Sequence, residues 1–488
     1  MSNALKPEGA PLEEALEGRL PVLPSERIYD RYGALLWTTA VLSAASYAYL
    51  VGGALASFGN TRLSIAGYLI GLIVGEVVVV TCAGVPSYRS GVDTVDAAKS
   101  ALGTRGSVLV LLSVLATCLG WAYVLVAMSA ESASSFVQAV QGNGSRREEV
   151  FVVAVALLLL AAVWLLASRG PAAMARLSSI CAPAQIAVAV GLMSVLVYRY
   201  GAVSLWQKSG ATAIGSPRLL PIAYGIELGF DNALSLLPYI GGLTRLVRHR
   251  RHLVGPTVIG SGIVGAWVIA AVAALATNAT GLTDPAAWIL SLTGPFAGAV
   301  IVTFLLVANI GTLVVQVYVA GVAAQQIRWI AGLPWKWVLA LAIAPGVLLA
   351  FRTQWLLAHV ATWLGYNGVI FVGMAAVLFT DYYVVRREQI ELAHLFARPG
   401  QGAYWYAAGV NWVAMAIIAG ASVVYMMMFD PITFAVKPVF RFAGAGIPVV
   451  LASAILYWAL MNTVQRFARV PSRGAEVRAA DNFLNVGL

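Results

Sequence analysis

Long apolar runs, separated by short clusters of glycine, proline and charge, set the pattern of this chain. A membrane helix needs about 20 mostly apolar residues. Twelve stretches reach or approach that length: 32–57, 63–86, 107–133, 150–168, 178–198, 218–240, 256–278, 296–323, 336–352, 366–385, 403–428 and 440–463. The breaks between them carry helix-stopping residues and charge, as in the predicted loop Arg169-Gly170-Pro171. The pattern predicts an all-α polytopic membrane protein. One transmembrane domain fills 31–465, with short tails at 1–30 and 466–488 and no room for a soluble domain.

Composition agrees. Of 488 residues, 60% are hydrophobic and 11% charged, against about 45–50% and about 25% in soluble domains. The 47 glycines fit membrane helices, where Gly is frequent. Three cysteines, Cys82, Cys118 and Cys181, lie in or beside apolar stretches, and their odd number argues against a disulfide framework. The first thirty residues are polar and lack the apolar run of a cleavable signal, so the spans themselves are expected to drive insertion.

Charge adds orientation. With both termini placed in the cytoplasm, 22 of the 31 Lys and Arg residues fall on the cytoplasmic side and 9 on the other, as the positive-inside bias requires. The cluster Arg245, Arg248, Arg250 and Arg251 is the strongest single anchor. The net charge of +10 is therefore a topology signal and an attraction for anionic membrane lipid. It does not point to nucleic acid, because no basic patch with stacking aromatics sits on a soluble domain.

Polar groups at membrane depth are costly and mark candidate functional positions. The sixth span reads Tyr224-Gly225-Ile226-Glu227-Leu228-Gly229-Phe230-Asp231-Asn232. Glu227 and Asp231 are four apart and share a helical face, yet Gly229 and the Asp-Asn pair also favour an interruption there. Freed backbone groups are tolerated only where they line a cavity. A packed polar knot is the competing reading. The first span has a comparable interruption, Ser43-Ala44-Ala45-Ser46, followed by Gly52-Gly53, which close helix packing also explains. The two interruptions occupy corresponding places if 32–198 and 218–385 form a five-plus-five repeat. Paired broken helices point to the substrate site of an inverted-repeat transporter.

Three further features belong with these. Trp121, within Gly120-Trp121-Ala122-Tyr123 of the third span, offers a flat face for stacking a planar ring, or plain packing. Asn309, Thr312 and Gln316 in the eighth span fall at i, i+3 and i+7 and form one polar stripe. Glu76 is a lone carboxyl in the second span, either a proton carrier or a structural group. There is no phosphate loop, no paired Cys or His motif for a metal and no Ser-His-Asp set, so no enzyme and no cofactor are expected. The four histidines, His249, His252, His359 and His394, lie in predicted loops or near helix ends.

One stretch carries a resemblance. Phe379-Thr380-Asp381-Tyr382-Tyr383-Val384-Val385-Arg386-Arg387 runs on to Leu392-Ala393-His394-Leu395-Phe396, then Tyr404-Trp405-Tyr406 and Gly409-Val410-Asn411-Trp412-Val413-Ala414. With Gly103-Thr104-Arg105-Gly106-Ser107 entering the third span, and Trp121 beyond it, the chain resembles the nucleobase-cation-symport-1 transporters. These include bacterial permeases for hydantoins, cytosine and allantoin. The likeness covers roughly 30–465. It implies a five-plus-five inverted repeat with two extra C-terminal helices, 403–463. Substrate would lie among the first, third, sixth and eighth spans.

By the same resemblance, Trp121 stacks on the ring, Phe230 is the nearest match to a second aromatic, and Gln316 is the nearest match to a substrate-bonding amide. Ala45 is placed at the substrate by the first-span interruption. Two departures stand out. Leu125 occupies the place of a substrate-bonding glutamine, leaving Asp231 or Asn232 to supply that bond. Thr312-Leu313 replaces two successive hydroxyls that sodium-coupled members carry beside carbonyls of the first span. A Na⁺ position at Ala44 and Thr312 is thus weakened. Proton coupling is favoured, with Glu76 and Glu227 as carriers and Ser43, Ser46, Asn309 and Thr312 around the ion path.

The expected function is secondary uptake of a planar nitrogen heterocycle through the cell membrane, driven by H⁺ or else Na⁺. Alternatives are an amino-acid or amine carrier of the same fold, using Asp231 for an ammonium, or a transporter-derived sensor. Gly365 and Gly368 mark a place where the tenth span is expected to bend as a gate. Oligomeric state stays open, since small-residue faces serve internal packing as readily as dimers.

Overall fold

The computed structural model describes residues 21–141, 145–210 and 219–467. Most of the predicted N-terminal and C-terminal tails lie outside the described residues. Among those described, every regular element is helical. Among the described residues, nine helices are long and apolar enough to cross a membrane, and ten when the bent pair Tyr32–Ser43 and Tyr47–Ser57 counts as one span. These correspond to the predicted first to fifth, seventh to tenth and twelfth spans. The sixth is Leu220–Leu234 followed by Leu237–Thr244, and the eleventh is Trp412–Met428.

Several boundaries differ from the apolar pattern, each for a local reason. The fifth helix runs Gly170–Tyr200, so Arg169-Gly170-Pro171 is its start rather than a loop. Pro171 sits in the first turn, where a missing N–H breaks no helical bond. The eleventh helix begins at Trp412 instead of 403. Tyr406 (φ 47°), Ala408 (φ 55°) and Gly409 (φ 88°) adopt left-handed backbone that no helix can continue. Asn411 then caps the helix, its Oδ1 accepting from the Ala414 N–H at 3.3 Å. The twelfth runs Gly446–Phe467 after a single turn at Phe440–Ala443. The ninth, Trp335–Leu349, leads into Thr353–Thr380, which passes Gly365 and Gly368 without interruption. The expected bend at those glycines is absent in this conformation.

Backbone contact organises the inner helices. Any side chain at Gly71 in the second span would meet the Ile226 carbonyl of the sixth, and one at Gly229 would meet the Tyr68 carbonyl in return. Small residues spaced by four let two membrane helices approach this closely. The first and seventh spans pack the same way, Gly52 lying against Ala270 and Ala273.

The segment before the first span is tied down as well. The Arg27 guanidinium donates to the Val247 carbonyl at 3.1 Å and to the Tyr88 carbonyl at 2.7 Å. The Tyr29 N–H donates to the Leu246 carbonyl, and the Arg248 N–H to the Tyr29 carbonyl, both at 2.9 Å. The ends of the first, second and sixth spans are thereby joined through one short stretch of chain.

Candidate functional site

Both spans are broken, the first where expected and the sixth elsewhere, since its helix runs unbroken through Gly229–Asn232. The first span turns by 62° between Tyr32–Ser43 and Tyr47–Ser57, at Ala44-Ala45-Ser46. The sixth breaks at Ser235-Leu236, one turn beyond the predicted Gly229–Asn232. Between the breaks lies a cleft bounded by Ser43 and Tyr47 of the first span, Trp121 of the third, and Asn232, Ser235 and Tyr239 of the sixth. Leu42 and Leu236 complete its apolar wall. Its free void is about 10 Å³ to the centre of a water-sized sphere, room for about one water.

Trp121 meets two aromatic neighbours. The Tyr47 ring lies over it in a tilted stack, with centroids 4.5 Å apart and planes at 41°. Trp363 of the tenth span meets it edge-on at 5.7 Å and 82°. Gly120 makes room for this, since a side chain there would strike the Trp363 ring.

The sixth span separates residues that its sequence placed side by side. Successive residues of a helix are about 100° apart, so 230 and 232 point about 200° apart. Asn232 faces the cleft, its Nδ2 donating to the Tyr68 hydroxyl at 2.7 Å. Phe230 is buried on the far side, where its ring lies against Gly446. Asp231 turns to the eleventh span and accepts from the Tyr425 hydroxyl at 2.6 Å. Glu227 accepts from the N–H groups of Ala445 (2.5 Å) and Gly446 (3.0 Å), the entry to the twelfth helix. Phe230 and Asp231 therefore do not line the cleft, and Glu227 faces a helix start. Leu125 and Ala45 are buried in the apolar core, while Ala44 packs at the break.

The polar stripe of the eighth span is intact and fully buried. Asn309 uses all four of its amide positions. Its Nδ2 donates to the hydroxyls of Ser46 (2.8 Å) and Ser129 (3.1 Å). Its Oδ1 accepts from the Ser46 N–H (3.2 Å) and from Gln185 Nε2 (3.3 Å). Thr312 donates to the Val41 carbonyl at 2.6 Å. The side chain of Gln316 reaches the Tyr239 hydroxyl behind the cleft wall and leaves its own Oε1 without a partner. Glu76 is buried against the seventh span, with Ser261 Oγ 2.5 Å from its Oε1 and no partner at Oε2. Among the described residues, no group of His, Cys, Asp or Glu is arranged to hold a metal ion.

Sequence reasoning missed Tyr47, Ser235 and Tyr239 at the cleft, and Ser129 and Gln185 at Asn309. Gln185 is a lone amide in an apolar span and was findable by the rule that singled out Glu76. Tyr47 was findable as the first residue after the break.

The stretches that carry the resemblance meet elsewhere. The N–H groups of Arg105 and Gly106 donate to the Gly409 carbonyl at 2.8 and 3.1 Å, and Arg105 lies over the Trp405 ring. Arg386 donates to Asp381 and to the Ser100 carbonyl, contacts the Tyr406 hydroxyl and covers the Tyr404 ring. Asn411 Nδ2 reaches the Ala101 carbonyl at 2.7 Å. The motif is one junction, holding the end of the tenth span to the helix Thr94–Leu102 and the start of the eleventh.

Residues 31–462 match a family described as permease for cytosine/purines, uracil, thiamine, allantoin. The chain belongs to that permease family. It is a transporter and not an enzyme, and its apolar helices make it a multi-pass membrane protein. The permease is similar to a hydantoin permease of Microbacterium maritypicum, 40% identical over 57 residues, a match spanning 12% of this chain and 11% of that relative. Its fold is that of Mhp1, a nucleobase-cation-symport-1 family transporter, in a closed conformation with bromovinylhydantoin bound. That structure has a TM-score of 0.73 at 16% identity, over 95% of this chain and 98% of the other. An inward-facing conformation of Mhp1 gives 0.70 at 19% identity, over 95% and 98%. A Na⁺-coupled sialic acid symporter in an outward-open state gives 0.58 at 13% identity, over 90% of each chain.

Proposed function

We propose that this permease takes up a planar nitrogen heterocycle, of the nucleobase, hydantoin or allantoin class, across the cell membrane by symport with protons, its termini facing the cytoplasm. The observation that carries the reading is the cleft between the two helix breaks, which Trp121 lines together with Asn232, Ser43 and Ser235. A flat apolar face with donors and acceptors beside it suits a ring bearing N–H and C=O groups. No carboxylate lies among the lining residues, and Asp231 is held by Tyr425. That disfavours an ammonium substrate.

Donor chemistry supports the proton. Sodium needs several free oxygens. Here the Val41 carbonyl already accepts from Thr312, Leu313 offers no side-chain oxygen, and the Asn309 amide places N–H donors at the break. This donor set argues against a cation at Ala44 and Thr312. Buried carboxyls are present instead: Glu76, Glu227 and Asp231, none in an ion pair among the described residues. Alternating access would move one helix group against the other around the cleft.

The test is uptake of labelled uracil, cytosine, hypoxanthine, allantoin and hydantoin into proteoliposomes. At least one should accumulate under an inward proton gradient, with little change when Na⁺ replaces choline. Accumulation of none defeats the substrate reading, and strict Na⁺ dependence defeats the ion.

A further inference from the structure

The cleft has one aromatic platform on the third span and needs an opposing face to hold a ring flat. Phe230 cannot supply it, being buried with its ring on Gly446 and about 200° round the helix from Asn232. Tyr47 already occupies the position. It is the first residue beyond the 62° bend, lines the cleft and lies 4.5 Å from the Trp121 ring.

We infer that Tyr47 is the second platform: the substrate ring inserts between Tyr47 and Trp121, and the Tyr47–Ser57 half-helix moves aside to admit it. This rests on the heterocycle reading above. Aromatic atoms in contact sit about 3.5–4 Å apart, so a sandwiched ring needs platforms about 7–8 Å apart. The present 4.5 Å must therefore widen by roughly 3 Å.

The break makes that opening local. Ser46 is held on both its N–H and its hydroxyl by Asn309 of the eighth span. Motion of the half-helix therefore turns about a fixed point next to Tyr47. Trp363 closes Trp121 only edge-on, so it guides the ring sideways without competing for its face. In this conformation Tyr47 packs on Trp121 where the ring would insert, which accounts for the small void of the cleft.

The experiment is equilibrium binding of the five heterocycles to the purified full-length protein, comparing wild type, Tyr47→Phe, Tyr47→Leu, Tyr47→Met and Phe230→Leu. Each sample is first checked as a single peak by size exclusion. Loss of one stacking face should weaken binding by about 10-fold or more in Tyr47→Leu and Tyr47→Met. By the same reasoning Tyr47→Phe should stay within about 3-fold, and Phe230→Leu should bind like wild type. Wild-type binding with unchanged affinity in both the Leu and Met variants overturns the platform alone. No binding of any heterocycle to wild type overturns the substrate reading and the platform with it.

Discussion

The amide of Asn309 holds Ser46 at two points, accepting from its backbone N–H at 3.2 Å and donating to its hydroxyl at 2.8 Å. A broken membrane helix frees backbone groups that lipid cannot satisfy, and here a side chain from a neighbouring helix meets them. Asn309→Leu leaves the Ser46 N–H unpaired, which costs about 1–3 kcal/mol. Thermal unfolding in detergent should shift down, and uptake should fall by roughly 10-fold, as a loss of that size in the transport-competent state implies. A variant as stable and active as wild type would remove Asn309 from this role.

The two buried glutamates should behave differently. Glu227 accepts three contacts from two backbone N–H groups. Glu227→Gln can turn a second set of donors toward them, and its expected effect is a loss of about 1–3 kcal/mol in stability. Glu76 has one hydroxyl neighbour and one unpartnered oxygen. Glu76→Gln keeps the shape but cannot carry a proton. Substrate counterflow should persist in it, while accumulation driven by a proton gradient is lost. If Glu76→Gln still accumulates substrate against its gradient, Glu76 is structural.

At the family signature the expected phenotype is stability, not affinity. Asp381 is buried and its charge is met by Arg386 at 2.6 Å and by the Tyr457 hydroxyl at 3.1 Å. Removing one member of such a pair costs about 3–5 kcal/mol. Arg386→Ala should express poorly or melt early, yet whatever folds should bind heterocycle with wild-type affinity. A selective loss of affinity in a stable Arg386→Ala protein would place the motif in the transport site instead.

Gly71 is a simpler case of steric demand. Its neighbour is the Ile226 carbonyl, which cannot yield as a flexible side chain would. Gly71→Val should cost at least about 1–3 kcal/mol, the range typical of overpacking. At Gly191 an added side chain would meet nothing within 4 Å, and valine should be tolerated there. Folded yields of the two variants, measured side by side by fluorescence size exclusion, decide the point.

What the sequence made legible was whatever depends on local composition. The apolar runs placed the helices, and Ser43-Ala44-Ala45-Ser46 located the first break to the residue. The sixth break moved by one turn because each suspected breaker had another employment. Gly229 is spent on contact with Tyr68, and Asp231 and Asn232 find hydroxyl partners inside the helix bundle. Phe230 and Asn232 stand near each other in the chain yet on opposite faces. No periodicity says which face looks into the cleft until the neighbouring helices are in place. The apolar, aromatic run 403–411 extends the expected eleventh helix beyond the observed start at Trp412. Its left-handed residues include Tyr406 and Ala408, which no turn rule flags.

The short stretch holding Arg27 and Tyr29 has a kinetic consequence. Arg27 spans from the end of the sixth span at Val247 to the end of the second at Tyr88. Any motion that parted these ends would first have to release that arginine from both carbonyls, so the stretch would slow such a motion.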